Sequence, residues 1–160
     1  MHLLFVCTGN TCRSPLAEVI ARHLIAERGL VNVIVSSAGT SAWADAPASD
    51  GSLLVAMERG LDLSAHRARP LSADLVASSD VILTMGPHHL DRAQALGGTG
   101  RSHLLTAFAD GADDGRAIGD PFGGDLPVYR GTFDELSREI GAVLDRLERE
   151  GDRDQEHAAS

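Results

Sequence analysis

No lysine occurs in this chain, and all 14 basic side chains are arginines. A nucleotide cradle ending in Gly-Lys-Ser/Thr is therefore excluded. Positive charge is scarce: 23 acidic residues against 14 basic ones leave a net charge of −9. That balance argues against a nucleic-acid partner, because phosphate backbones are met by basic stripes. No apolar run comes near the roughly 20 residues that cross a bilayer. Met1–Val6 is too short for the apolar stretch of a secretory signal. These absences lead to the expectation of a cytoplasmic protein with no membrane partner. Cysteine is confined to Cys7 and Cys12, close together in one segment, so no disulfide framework is available.

What the chain does have is concentrated near its start. His2-Leu-Leu-Phe-Val6 is an apolar run of strand length. From Leu16 onward Val19, Ile20, His23 and Leu24 fall on one helical face. Pro15 suits a first helical turn, where its missing N–H needs no partner. Between strand and helix lies Cys7-Thr-Gly-Asn-Thr-Cys-Arg-Ser14. A loop of backbone amides running into a helix N-terminus makes a cradle for a tetrahedral anion. The same positive field favours the thiolate, the reactive form of a cysteine. Arg13 adds a planar, permanently charged fork that fits two phosphate oxygens. In a chain of this net charge, the attraction for an anion has to be local to that loop.

Four strand-like runs alternate with helical ones: His2–Val6, Val31–Val35, Asp80–Met85 and Ser102–Ala107. Ser36–Trp43 reads as a loop. Pro47 opens a helix carrying Leu53, Leu54 and Met57, Ser72 caps a short one, and Pro87–Leu96 forms another that ends at Gly97-Gly98. Paired His88-His89 lacks a third metal ligand nearby and reads as a solvent-exposed helix start. Ala109–Gly124, rich in Gly and Asp, is long enough for a functional loop. Phe133, Leu136, Ile140, Val143, Leu144 and Leu147 line a final helix. The pattern predicts a single-domain, three-layer α/β/α fold with a four-stranded parallel sheet, its ligand bound beyond the strand C-terminal ends. Residues 1–150 make the domain, and 151–160 a frayed or disordered tail.

A phosphoryl group held by a thiolate needs a proton donor for its leaving atom. Asp120, in Gly-Asp-Pro-Phe122, is the carboxyl suited to protonate the leaving group and then to take a proton from water.

Cys7-Thr-Gly-Asn-Thr-Cys-Arg-Ser-Pro15, Ser37-Ala-Gly39 and Asp120-Pro121, in this order and spacing, resemble the low-molecular-weight protein tyrosine phosphatases. The resemblance runs to about residue 148. It implies a phosphocysteine intermediate, no cofactor and no metal, with a phosphorylated protein as substrate; the sequence does not fix the oligomeric state, and a monomer is favoured. Carried over by position, Cys7 is the nucleophile, Arg13 binds the phosphoryl oxygens and Asp120 is the general acid. Thr8, Gly9, Asn10, Thr11 and Cys12 supply the loop that holds the substrate. Ser14 hydrogen-bonds the thiolate, Asn10 braces the loop with Ser37, and His66 supports it from behind. Cys12 matches a second family cysteine able to form a protective disulfide with Cys7.

Within that family two features are similar to the bacterial protein-arginine phosphatases. Thr11 stands where tyrosine phosphatases usually carry an apolar branched residue, and Asp120-Pro-Phe-Gly-Gly124, with Tyr129 after it, follows the same branch. The Thr11 hydroxyl can hydrogen-bond a guanidinium while its bulk narrows a slot otherwise open to a phenyl ring. Phe122 belongs beside the substrate. Trp43 points the other way, since several tyrosine phosphatases place an aromatic wall there, although a guanidinium also stacks on an indole face. A buried structural role for Trp43 stays open. Arsenate reductases share the loop but need further shuttle cysteines after Met85, and the chain has none. A non-catalytic phosphate-binding module has no use for both a nucleophile and an acid.

Overall fold

Leu3 to Cys7 are all buried, which is why this segment is apolar without alternating. The computed structural model describes residues 1–111 and 115–159. In it β1 (His2–Cys7), β2 (Ile34–Gly39), β3 (Val81–Thr84) and β4 (Ser102–Leu104) form one parallel sheet in the order β2-β1-β3-β4. Successive side chains of a strand point to opposite faces. Leu3, Phe5 and Cys7 therefore join a core with α1 (Arg13–Glu27), α2 (Asp50–Glu58), α5 (Leu105–Asp110) and α6 (Leu126–Ala159). Leu4 and Val6 pack instead with Val76 of α3 (Ala73–Ala77) and Ala93 of α4 (Pro87–Ala93). The expected three-layer α/β/α architecture is the one observed. Leu136, Ile140 and Leu144 of α6 are fully buried, and cutting any of them to Ala costs about 2–5 kcal/mol.

Several element boundaries differ from those the pattern predicts, each for a physical reason. Asn32 takes φ 66° and its carbonyl accepts from the Met1 amino group, so Val31 stays exposed ahead of the strand. The strand begins at Ile34 and runs through Ser36–Gly39, which bring β2 level with Cys7. Ser36–Gly39 are thus strand, not loop. In α2 the cap is Ser49, whose side chain accepts from the Ser52 amide, and Val55 and Ala56 are buried while Leu54 and Met57 are exposed. Ser102–Ala107 divides: β4 ends at Leu104 and Leu105 opens α5, because a short apolar run fits either element. Helix α4 passes at Ala93 into a π-helical turn, Gln94–Gly98, closed by Gly97 at φ 106°.

Ser72 caps α3 as predicted, accepting from the Leu75 amide. The face of α6 also follows the predicted spacing. That helix continues past Gly151 to Ala159, with every residue from Arg149 to Ala159 exposed. Gly151 does not take the left-handed conformation that ends a helix, and a glycine inside one costs only about 1 kcal/mol. Ser160 and positions 112–114 of the Ala109–Gly124 loop lie outside the described residues.

Candidate active site

Cys7 is the last residue of β1 and Arg13 the first of α1, so the loop between them sits at the C-terminal edge of the sheet. Its carbonyls are engaged from outside. Cys7 O accepts from Thr40 N, Thr8 O from Ser41 N, and Thr11 O from Ser49 N. Cys12 O accepts from Ser52 Oγ, and Asn10 O meets His66 Nε2 at 2.7 Å. In a trans peptide the C=O and the following N–H point opposite ways. Tethering these carbonyls outward therefore turns the N–H groups of Thr8, Gly9, Thr11, Cys12 and Arg13 inward.

Asn10 bolts this arrangement together. It is fully buried in the left-handed region, φ 54°, which asparagine tolerates better than most residues. Its Nδ2 donates to Ser14 Oγ at 2.8 Å and to Ser37 Oγ at 2.9 Å, and its Oδ1 accepts from the Arg69 amide at 3.0 Å. Ser14 Oγ lies 2.9 Å from Cys7 Sγ. Since Asn10 donates to Ser14, the Ser14 proton is available to Cys7 Sγ at 2.9 Å, with the Ala38 carbonyl a more distant acceptor at 3.5 Å.

Arg13 is 6% exposed and held at one end: Nη1 donates to Ile118 O at 2.9 Å, and Nη2 lies 3.7 Å from Asp120 Oδ2. Its Nε is buried with no partner among the described residues. An unmet buried donor costs about 1–3 kcal/mol, a debt that an anion in the cradle cancels. The Asp120 segment is fastened at several points. Arg116 O accepts from Thr106 Oγ1, the Arg116 guanidinium meets Glu139 at 2.9 Å, and Ile118 N donates to Met85 O. Asp120 Oδ1 accepts from the Phe122 amide, which leaves Oδ2 beside Arg13 in a half-exposed position.

Cys7, Thr8, Gly9, Thr11, Cys12, Arg13, Asp120 and Phe122 together line one cavity of about 220 Å³. This is smaller than the usual small-molecule pocket and suits a phosphoryl group with the head of one side chain. Asn10, Ser14, Ser37 and His66 stand behind it. Phe122 is 75% exposed at its rim. Trp43, 83% exposed, is not buried structure, and it does not line the cavity. Cys12 is turned away from solvent, with Sγ 3.3 Å from Ser49 Oγ and 3.6 Å from Tyr129 OH.

One expectation is corrected. His88 is exposed at the start of α4, but His89 is fully buried, with Nε2 2.8 Å from Thr8 Oγ1. Burial first, then the charges of His88 and Arg13, lower its pKa to about 4, with Asp120 pulling weakly upward. Arg69 and Ile118 also support the site without standing out in the sequence. A clue to His89 was present in the topology: a helix that follows β3 starts at the same sheet edge as Cys7. Among the described residues no three His, Cys, Asp or Glu side chains gather as a metal site.

A parallel α/β sheet presenting a thiol inside a ring of amides, beside a guanidinium and a carboxyl, defines the cysteine-dependent phosphatases. The sequence matches the family model "Low molecular weight phosphotyrosine protein phosphatase" over residues 2–153, and the chain belongs to that family. It is 34% identical over 150 residues to the protein-arginine-phosphatase of Bacillus subtilis (strain 168), covering 94% of this chain and 99% of that one. Identity to the low molecular weight protein-tyrosine-phosphatase PtpB of Staphylococcus haemolyticus is 39% over 144 residues, 89% and 97% of the two chains. A solved YwlE arginine phosphatase mutant with a phosphorylated active site serine superimposes with a TM-score of 0.87 at 33% identity, over 92% and 96%.

Proposed function

We propose that this phosphatase hydrolyses phosphoarginine in proteins through a phosphocysteine intermediate. The Cys7 thiolate attacks phosphorus while Asp120 gives its proton to the departing guanidine nitrogen. Water then attacks phosphocysteine, Asp120 takes a proton from it, and phosphate leaves as Ser14 receives the thiolate with a hydrogen bond. The amides of the loop and the free Arg13 Nε meet the equatorial oxygens, where charge is spread in the transition state. An incoming phosphoryl group also competes with Asp120 for Arg13, releasing the carboxyl to carry a proton. The related structure with phosphate on its active site serine offers a parallel for the covalent step. The same reading has a monomer acting in the cytoplasm, on a phosphorylated protein, without metal or cofactor.

The observation that carries the choice of phosphoarginine is Thr11, half-buried and lining the same cavity as Asp120 and Phe122. A hydroxyl there gives a guanidinium an acceptor that a phenyl ring cannot use. The exposed Trp43 indole, although outside the cavity lining, favours phosphotyrosine as the second reading. Turnover on matched phosphoarginine and phosphotyrosine peptides, for the wild type and Thr11→Ile, separates the two. The expected result is a wild-type preference for phosphoarginine that the isoleucine reverses. A wild type that prefers phosphotyrosine, with no effect of the substitution, sinks the specificity.

A further inference from the structure

His89 is a buried titratable group that the chemistry above leaves unused. Its ring is fully enclosed, Nε2 is 2.8 Å from Thr8 Oγ1, and Nδ1 is buried with no partner among the described residues. The two neutral tautomers are not equivalent here. A proton on Nδ1 would be a buried donor with nothing to meet, and orphaned buried N–H groups are rarer than orphaned acceptors. With the proton on Nε2, the ring donates to Thr8 Oγ1 and only an acceptor goes unmet. Thr8 Oγ1 then accepts, and its own proton has to turn elsewhere. Thr8 lines the cavity beside Cys7 and Arg13.

We infer that His89 is a positioning residue, which anchors the loop at Thr8 and turns the Thr8 hydroxyl proton toward the bound phosphoryl group. Thr8 thereby adds a side-chain donor to the ring of amides. The charged and titratable neighbours of the imidazole are His88 on its own helix, Arg13 on α1 and Asp120 on the acid loop. Burial first, then His88 and Arg13, opposes a second proton on the ring, so it stays in the form that donates from Nε2 alone.

The inference rests on the Cys7 loop being the phosphate site, and the experiment keeps the two apart. Vanadate affinity, kcat and KM on p-nitrophenyl phosphate are measured for wild type, His89→Leu, Thr8→Val, their double variant, His89→Gln and Cys7→Ser. Each of the first two changes should weaken vanadate binding and lower kcat/KM about 10-fold, the worth of one hydrogen bond to a charged group. The double variant should lose no more than either single one, since both remove the same interaction. His89→Gln, whose amide donates from a similar position, should recover most of the loss. Losses that multiply in the double variant overturn the inference, as does wild-type vanadate affinity in Thr8→Val. The second criterion decides alone if His89→Leu does not fold. Turnover retained by Cys7→Ser overturns the site itself, whereas an inactive Cys7→Ser beside a fully active Thr8→Val removes only the role of His89.

Discussion

Gly39 packs so closely against Thr8 that a β-carbon at position 39 would lie 2.4 Å from the Thr8 carbonyl oxygen and 2.9 Å from the Asn10 nitrogen. Both obstacles are backbone, so no side-chain rotation relieves them. Gly39→Ala should push the loop off its β2 support, at about 1–3 kcal/mol for the overpacking. The expected outcome is a melting temperature lower by several degrees and vanadate affinity reduced at least 10-fold. Calorimetry and vanadate titration check it; wild-type affinity in the alanine variant would show that the loop does not depend on this contact.

Asp120→Ala tests the proposed acid. A leaving group that needs a proton should slow by roughly 10²–10⁴, the usual worth of general acid catalysis. An activated p-nitrophenyl ester, whose leaving group departs without help, should slow much less in its first step. Single-turnover rates across esters of graded leaving-group pKa give the comparison. Uniform loss across the series would assign the proton to another group. Arg116→Ala, which releases the segment from Glu139, should act in the same direction more weakly.

Much of this site was legible because it is local. Cys7, the amide loop, Arg13 and Ser14 are neighbours in sequence, and a strand–loop–helix join is enough to place them. The apolar runs of β1 and β3 and the periodic face of α6 were legible for a similar reason, since each buries a whole face. What could not be read depends on contacts between distant segments. Ser36–Gly39 looks like loop because the sheet edge there must stay small to fit beneath Thr8. Leu105–Ala107 looks like strand until the larger core takes Leu105 and Phe108 on one helical side. The pairing of Arg13 with Ile118, and of His89 with Thr8, has no signature in either segment alone.

Stability should fall on the acid side through His89. Its folded pKa, near 4, lies below the ordinary 6.5, so between those values the unfolded chain binds the extra proton. Unfolding is then favoured as pH drops from about 6.5 to 4, on the order of 2 kcal/mol once discounted for partial screening. His103, also lowered by burial, adds to the trend with the same sign. Urea midpoints for wild type and His89→Gln at pH 7, 5 and 4 should converge toward one another in the order expected: the wild type loses more. Parallel curves for the two proteins would contradict the assignment.

Mild peroxide should join Cys7 to Cys12. Both thiols are free and buried, and Cys12 Sγ is hydrogen-bonded to Ser49 rather than to the other sulfur. Forming the bond removes two electrons and two protons from the thiols and reduces one peroxide to two waters. Cys12 must first leave Ser49, so Ser49→Ala should speed the reaction. Mass spectrometry of the peroxide-treated protein, with activity before and after dithiothreitol, reads the result; an unlinked, irreversibly oxidised Cys7 would refute it.

The clasp between Arg13 and the carbonyl of Ile118 spans 105 positions of sequence. The thiol turn and the proposed acid at Asp120 are thus joined only once this distant segment has docked. A molecule clipped ahead of Ile118 lacks the proposed acid, so it is expected to grip an oxyanion while releasing only leaving groups that need no proton.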